Sequence, residues 1–253
     1  MTADTATGRR SHAAGRVYTS RSAPAPASRA EIARRIARAA GEILITFGLI
    51  VLLFALYEVY GKTALVDAHQ NTLDKQLTQS WGGSSPSTGT GAPTTPAGLA
   101  EPLPGSAFAR LYIPVLQKHW VVVEGVTLHD IEFAPGHYPG TALPGQIGNF
   151  AVAGHRIPSI FWNLQELQKG QLIVVQTKDE WYVYTVTVNE IVTPTSIEVV
   201  APTPDHVGAT PTRAMMTLTT CNPKWADYQR MAVHAVLTKK QPAADGPPVA
   251  LGS

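Results

Sequence analysis

The apolar run GEILITFGLIVLLFALYEVY, residues 41–60, limits most strongly how this chain can fold. It contains no charged residue between Ile43 and Tyr57, and Glu58 stands near its far edge. A helix of about 20 residues spans roughly 30 Å, the thickness of the hydrocarbon core of a membrane. A helix that is apolar on every face is more typical of a membrane span than of a surface helix, although a helix buried in a globular core is the alternative. We therefore predict a transmembrane helix at residues 41–60.

The charge around this run predicts its orientation. Residues 1–40 carry eight arginines against Asp4 and Glu31, about +6, whereas the rest of the chain carries about −4. By the positive-inside rule this basic tail is cytoplasmic, and the chain beyond Tyr60 lies outside the cell membrane. A cleaved signal peptide would have a shorter apolar core and a small-residue cleavage site, which EVYGKTALVDAH matches poorly. We predict an uncleaved, single-pass anchor, and we expect no nucleic-acid partner because the remainder of the chain is acidic.

The segment after the anchor, residues 61–105, is predicted to form a stalk followed by a disordered linker. Leu65, Leu73 and Leu77 have a spacing compatible with a continued helix. In residues 82–105, 11 of 24 residues are Gly or Pro and only one is charged. Such a composition buries too little apolar surface to offset the entropy of ordering.

Residues 106–240 differ from the linker in composition: they consist of short runs rich in β-branched residues, separated by turn residues. There are seven such runs: FARLYIPVL, HWVVVEG, NFAVAG, QLIVVQT, EWYVYTVTVNEIVT, MMTLTTC and RMAVHAVLTK. This texture predicts an all-β domain, either a sandwich or a closed barrel. One short helix is expected at residues 160–167, with Ser159 as its N-cap. We predict that residues 241–253 form a flexible tail.

The only cysteine of the chain, Cys221, ends the apolar run MMTLTTC. A single cysteine cannot form an intramolecular disulfide, so Cys221 does not stabilise an extracytoplasmic domain in that way. If MMTLTTC and RMAVHAVLTK pair as a hairpin, Cys221 and Arg230 share one edge of the sheet. NFAVAG ends just before His155, which is presented at a strand end as well.

Cysteine, histidine and arginine together can perform acyl transfer. The thiolate of Cys221 would be the nucleophile, His155 the acid and base, and Arg230 a clamp for a developing oxyanion. Two simpler interpretations stand beside this one. A lone cysteine at a strand end is often a small buried hydrophobe. The chain also has eight histidines, so composition does not single out His155.

The strings TLTTC and AGHR, with an arginine nine residues after the cysteine, resemble the signature of the sortase family of Gram-positive cell-surface transpeptidases. The stretch Phe133–Arg156 resembles the family's approach to its catalytic histidine, and ARLYIP resembles its first strand. TLTTCNP and the tyrosine of RLYIP are most similar to class E sortases of actinobacteria. The resemblance covers about residues 106–240. It implies an eight-stranded β-barrel with short helices, preceded by one transmembrane helix.

The resemblance also implies a reaction. Cys221 attacks the Thr–Gly bond of an LAxTG-like or LPxTG-like sorting signal and forms a thioacyl-enzyme. His155 protonates the departing amine and deprotonates the incoming one, and Arg230 holds the substrate carbonyl. Tyr112 and Thr220 match positions that contact substrate. The partners are surface proteins with such signals, an amine of the peptidoglycan precursor and the lipid bilayer.

Several alternatives remain open at this stage. A non-catalytic anchored β-domain could bind surface proteins or wall polymer without covalent capture. The L,D-transpeptidases are disfavoured because no SHGCxR string occurs. Glu132, Glu190 and Glu198 are acidic candidates near loops, but their spacing matches no Ca²⁺ loop, so we predict no metal and no cofactor. We interpret His137 and His234 as structural. The loops after His155 and after Cys221 depart from the usual family pattern.

The resemblance further implies slow turnover and a bell-shaped pH profile. With ordinary pKa values of about 8.5 for cysteine and 6.5 for histidine, the thiolate–imidazolium pair amounts to about 1% of the neutral pair.

Overall fold

The computed structural model describes residues 28–82 and 101–252, and within them the side chains of Val59, Tyr60 and Lys62 are left aside. The chain divides into two compact units, Met1–Phe54 and Ala55–Ser253. The predicted linker largely lies outside the described residues.

Helix α1 spans Arg29–Leu56 and is followed by a π-helical turn, Tyr57–Gly61. A capping box starts it: the Ser28 amide donates to Glu31 Oε2 (2.9 Å), and the Glu31 amide donates to Ser28 Oγ (3.3 Å). The helix therefore begins well before the predicted span of residues 41–60. Its apolar side chains are exposed along its length, and it is long and apolar enough to cross a membrane.

Helix α2, Lys62–Gly82, continues the chain in the second unit. Val66 and Leu77 are buried on its inner face, whereas Leu65 points to solvent. Val66, Gln70 and Leu77 lie on one helical stripe, and this stripe packs on the first two strands of the β-domain. The predicted helical continuation is thus present, and of the three leucines Leu77 is buried whereas Leu65 is exposed.

The remainder of this unit is a closed barrel of eight strands, as the resemblance implies. The strands are β1 Ala107–Ile113, β2 Lys118–Glu124, β3 Gly136–His137, β4 Gly148–Ala153, β5 Leu172–Gln176, β6 Glu180–Val192, β7 Ala214–Asn222 and β8 Gln229–Pro242. Their order around the barrel is β1-β2-β3-β4-β7-β8-β6-β5, and β5 closes on β1. The pairs β2–β3 and β4–β7 are parallel, and the others are antiparallel. The seven predicted runs fall on seven of the strands, and the two-residue β3 was missed.

The barrel interior is filled by alternate side chains of each strand. Phe150 of β4, Leu218 of β7 and Val233 of β8 are fully buried. Tyr184 of β6 is also buried, and its hydroxyl accepts a hydrogen bond from the Gly145 amide (2.7 Å). Burial raises the pKa of Tyr184 far above its ordinary value. Residues next to these in sequence point to the outer face of the barrel.

Two predictions of local structure were wrong. Residues 160–167 form turns and a short 3₁₀ helix, Leu164–Glu166. The Asn189 side-chain amide donates to the carbonyls of Leu164 (3.2 Å) and Leu167 (2.8 Å), so these carbonyls are bound by a side chain of β6. Ser159 does not cap a helix, since its hydroxyl is buried without a partner among the described residues.

The predicted flexible tail, residues 241–253, instead packs on the barrel as far as residue 252. The Ala243 amide donates to the carbonyl of Asp179 (2.8 Å), and Leu251 contacts the apolar cluster around Trp181. No local pattern predicts this packing, because the tail is rich in Pro, Gly and Ala and its partner surface lies on distant strands.

Candidate active site

The parallel register of β4 and β7 brings His155 to Cys221. The ladder runs from Gly148 opposite Ala214 to Ala153 opposite Thr219. Beyond its last pair, the Gly154 amide still donates to the carbonyl of Thr219 (3.0 Å). Two further residues in the same register place His155 opposite Cys221, although the two are far apart in sequence.

The antiparallel register of β7 and β8 brings Arg230 to the other side of Cys221. Cys221 pairs with Arg230 and Asn222 with Gln229, so the predicted hairpin is confirmed. The Asn222 side-chain amide donates to Gln229 Oε1 (2.8 Å) and joins the two ends of the loop. The peptide bond between Asn222 and Pro223 is cis. The cysteine therefore stands on the middle one of three adjacent strands.

The alternation of β7 turns Cys221 to the outer face of the barrel. Leu218 points into the core, and Cys221 is half-buried. Its side chain opens into a pocket of about 460 Å³. The pocket is lined by His155, Arg156, Ile157, Pro158, Trp162, Cys221, Trp225, Ala226 and Asp227. Cys221 and His155 thus share one pocket.

His155 is held through its backbone. Its carbonyl accepts a hydrogen bond from the Phe161 amide (3.1 Å). The preceding Gly154 packs so closely on the Phe161 ring that a Cβ there would come within 2.6 Å of it. Burial lowers the pKa of His155 below its ordinary value, and the carboxylate of Glu132 opposes this shift in part.

Arg156 connects the histidine segment to the cysteine, and the sequence reasoning assigned it no role. Its Nη1 donates to the Cys221 carbonyl (3.2 Å) and to Asn222 Oδ1, and its Nη2 donates to Gln165 Oε1 (2.8 Å). Burial lowers the pKa of this guanidinium, which nevertheless stays a cation because the pKa of arginine is far above 7. Only its position directly after the histidine could have indicated this role.

Arg230 pairs with Cys221 through the backbone, but its side chain turns to the loop. Its Nη1 donates to the carbonyls of Asp227 (2.6 Å) and Gln229 (2.9 Å). Arg230 is not one of the residues that line the pocket. To contact a carbonyl bound in this pocket, its guanidinium would turn from the loop toward the pocket.

Aromatic side chains from the two atypical loops form one wall of the pocket. Trp162 and Trp225 meet edge to face with 4.9 Å between ring centroids. Lys224 Nζ lies 4.6 Å from the centre of the Trp162 ring and 3.0 Å from Asn163 Oδ1. Trp225 has a backbone φ of +69° and an 83% exposed side chain. A bulky residue in this left-handed region is rare.

The structure does not bring the predicted substrate residues Tyr112 and Thr220 into the pocket. Tyr112 lies on the outer face of β1, where its hydroxyl donates to Gln176 Oε1 (3.1 Å) and its ring stacks on His119. Thr220 is buried, and its hydroxyl donates to the Gly154 carbonyl (2.8 Å). Neither residue is among those that line the pocket, and their contact with substrate stays a prediction.

His137, interpreted as structural, is buried and fully engaged. Its Nδ1 lies 2.6 Å from Glu124 Oε2, and its Nε2 lies 2.8 Å from Thr141 Oγ1. These contacts join β2, β3 and the following loop and leave no free ring nitrogen for chemistry.

Comparisons with known proteins identify the family of this chain. A Sortase domain family model matches residues 111–238. Sortase SrtE1 of Streptomyces coelicolor is 31% identical over 85% of this chain, which spans 61% of that relative's length. Sortase SrtE2 of the same organism is 30% identical over 83% of the chain and 85% of the relative. The solved structure of sortase E from Streptomyces avermitilis superposes with a TM-score of 0.53 at 36% identity, over 59% of this chain and 99% of that one.

The matched region contains His155, Cys221 and Arg230. The eight-stranded barrel is the architecture that the resemblance to sortases implied, and the similar proteins include several of class E. The chain belongs to the sortase family of cysteine transpeptidases.

Proposed function

We propose that this protein cleaves an LAxTG-like or LPxTG-like sorting signal between Thr and Gly and transfers the Thr carbonyl to an amine of the peptidoglycan precursor. The observation that carries this proposal is the register of β4 and β7, which sets His155 opposite Cys221 at the edge of one pocket. The substrates would be surface proteins that end in such a signal.

In the first step the Cys221 thiolate attacks the carbonyl carbon of the substrate threonine. A C–S bond forms, the C–N bond to glycine breaks, and the imidazolium of His155 gives its proton to the departing amine. The products are a thioacyl-enzyme and a free amino-terminal glycine peptide.

In the second step the acceptor amine attacks the thioester carbonyl. His155, now neutral, takes the proton of the amine as the new C–N bond forms, and the Cys221 sulfur leaves as a thiolate. The thiolate–imidazolium pair is thereby restored.

Two arginines have separate tasks in this mechanism. Arg230, released from the Asp227 carbonyl, would hold the substrate carbonyl oxygen while negative charge develops on it. Arg156 stays on the Cys221 carbonyl and acts as a positioning residue that also places a positive charge near the sulfur.

Burial of His155 bears on the rate. Because burial lowers the pKa of His155, the imidazolium is scarcer at neutral pH than an unperturbed histidine would make it. The thiolate–imidazolium pair is then a minor species, which supports the expectation of slow turnover.

Helix α1 would anchor the enzyme in the cell membrane. It is long and apolar enough to cross a membrane, and basic residues dominate the chain before it. We propose a cytoplasmic N-terminus and an extracytoplasmic barrel, where sorting signals and peptidoglycan precursors meet.

The test uses the full chain in detergent micelles with LAxTG and LPxTG peptides and an amine acceptor, followed by mass spectrometry. The proposal expects cleavage between Thr and Gly, transfer to the amine, and a thioester-linked adduct on Cys221. Cys221→Ala should abolish all three, and the exposed His129→Gln serves as a matched histidine control for His155→Gln. Folded protein that gives no product and no adduct with either peptide would contradict the proposal and favour a binding module.

A further inference from the structure

A second cluster of side chains lies on the outer face of the barrel, away from the pocket. Glu190 of β6, Asp205 of the loop between β6 and β7, and His234 of β8 bring three ligand-type atoms within 4.8 Å of one another. His234 Nε2 lies 3.0 Å from Glu190 Oε1 and 3.7 Å from Asp205 Oδ2. His234 is only 2% exposed, whereas both carboxylates reach solvent.

A chain of hydrogen bonds fixes the proton of the His234 ring. The Asn149 side-chain amide donates to the carbonyls of Val199 (3.3 Å) and Ala201 (3.0 Å), so its Oδ1 faces Thr217. Thr217 Oγ1 donates its single proton to Asn149 Oδ1 (2.9 Å). Thr217 Oγ1 therefore accepts from His234 Nδ1, also at 2.9 Å, and Nδ1 carries a proton.

The other ring nitrogen then faces an electrostatic conflict. In a neutral imidazole with its proton on Nδ1, Nε2 has only a lone pair, and this lone pair points at the oxygens of two carboxylates. Three electron-pair donors meet with no proton between them. Either a second proton lies between these atoms, on Nε2 or on a carboxyl oxygen, or a cation takes its place.

We infer that Glu190, Asp205 and His234 bind a divalent transition-metal ion of the Zn²⁺ or Mn²⁺ type. Imidazole nitrogen and carboxylate oxygen are the ligands of such ions. Ligands at about 2.0–2.1 Å from a tetrahedral Zn²⁺ are about 3.3 Å from one another, and the separations of 3.0 and 3.7 Å from Nε2 lie on either side of this value. The Thr217–Asn149 chain is the outer hydrogen-bond partner that orients a ligating histidine.

The ion would connect two strands to the loop of residues 193–213. This loop supplies Asp205 as a ligand and is already held by Asn149. His234 pairs with Thr217, on the same outer face of β7 as Cys221 and four residues before it, about 13 Å along the strand. The ion would therefore hold the loop of residues 193–213 against the barrel, beside the face that carries the pocket, without contacting the reacting atoms.

The test measures metal binding directly, so it is independent of the proposed transpeptidation. Tag-free full chain in detergent micelles is stripped with a chelator, and ZnCl₂ and MnCl₂ are titrated by calorimetry. We expect one ion per chain, and binding at least tenfold weaker in Glu190→Gln and in Asp205→Asn. Glu198→Gln, a carboxylate change in the same loop outside the cluster, should bind like the unsubstituted chain.

Thermal unfolding gives a second readout on the same proteins. Added Zn²⁺ or Mn²⁺ should raise the Tm of the unsubstituted chain and of Glu198→Gln, and it should leave the two cluster variants unchanged. Uptake of neither ion, or uptake that Glu190→Gln and Asp205→Asn do not weaken, would overturn the inference and leave a proton between His234 and the two carboxylates. Both substituted side chains are partly exposed, so the variants are expected to fold.

Discussion

The contact of helix α2 with the barrel and the pocket around Cys221 use polar side chains in opposite ways. In the first, Gln70 accepts from the Val121 amide (2.7 Å) and donates to the Phe133 carbonyl (2.9 Å), so both ends of its amide are engaged. In the second, Cys221 and His155 are held by backbone hydrogen bonds of β4 and β7, and their side chains open into the pocket. Polar groups that are saturated with partners stabilise the fold, and those left free by a rigid backbone can react.

The arginine in the α2 contact, Arg110, is also bound differently from the arginines near the pocket. Arg110 bonds Asp74 and Thr78 of the helix as well as Gln176 of β5 (3.3 Å), and its guanidinium lies 4.6 Å from the centre of the Trp81 ring. Arg156 and Arg230 in the pocket region bond loop and strand carbonyls instead. The comparison predicts that changes in the pocket alter activity and that changes under α2 alter stability.

The largest expected effect is that of Cys221→Ala. It removes the nucleophile, so peptide cleavage and transfer should fall by at least about 10³-fold, to background. Because the side chain is half-buried and small, the free energy of unfolding should change by less than about 1 kcal/mol. Product formation by mass spectrometry and thermal unfolding of the same preparation test the two parts. A variant that keeps measurable transfer would remove Cys221 from the mechanism.

Arg156→Gln should have the next largest effect on activity. The shorter neutral side chain loses the bond to the Cys221 carbonyl and the positive charge near the sulfur, so we expect kcat/KM to fall about 10- to 100-fold. Arg156→Lys keeps the charge and should recover part of the loss. The fraction of Cys221 that reacts with iodoacetamide at pH 6 should fall in Arg156→Gln and recover in Arg156→Lys. Equal alkylation in all three proteins would remove the electrostatic role and leave Arg156 only the positioning role of its bond to the Cys221 carbonyl.

Gln70→Ala should lower stability and leave activity nearly unchanged, the reverse of the two pocket substitutions. It leaves backbone groups of Val121 and Phe133 without a partner, and an unsatisfied buried polar group costs about 1–3 kcal/mol. Chemical denaturation should show this loss, while kcat/KM stays within about twofold of the unsubstituted enzyme. Gln76→Ala, an exposed glutamine on the same helix, is the matched control and should leave stability unchanged. A Gln70→Ala variant with native stability would show that the bonds of Gln70 to Val121 and Phe133 contribute little to stability.

The sequence predicted the barrel strands and the Cys221–Arg230 hairpin because alternating apolar residues and a short loop are local signals. It could not predict which faces meet over long distances. The helical stripe of α2 on β2, the Arg156 bond to Cys221, and the outward direction of Tyr112 all depend on pairs of residues far apart in sequence. The chain end was misjudged for the same reason, since its partner Trp181 lies on β6.

The smallest expected effect is that of Glu132→Gln on the pH dependence of kcat/KM, and it tests which protonation states of Cys221 and His155 react. Glu132 raises the pKa of His155 against the effect of burial, so Glu132→Gln should lower the His155 pKa further. If the reactive species is the thiolate–imidazolium pair, the acid limb of the pH–rate profile moves to lower pH and the neutral plateau falls a few-fold, while the rate well below the limb is unchanged. If a neutral histidine acts instead as a base on the thiol, the rate at low pH rises and the plateau stays. Profiles of kcat/KM for Glu132→Gln and for the charge-matched control Glu101→Gln distinguish the two mechanisms, because only the thiolate–imidazolium mechanism predicts a lower plateau with an unchanged rate at low pH.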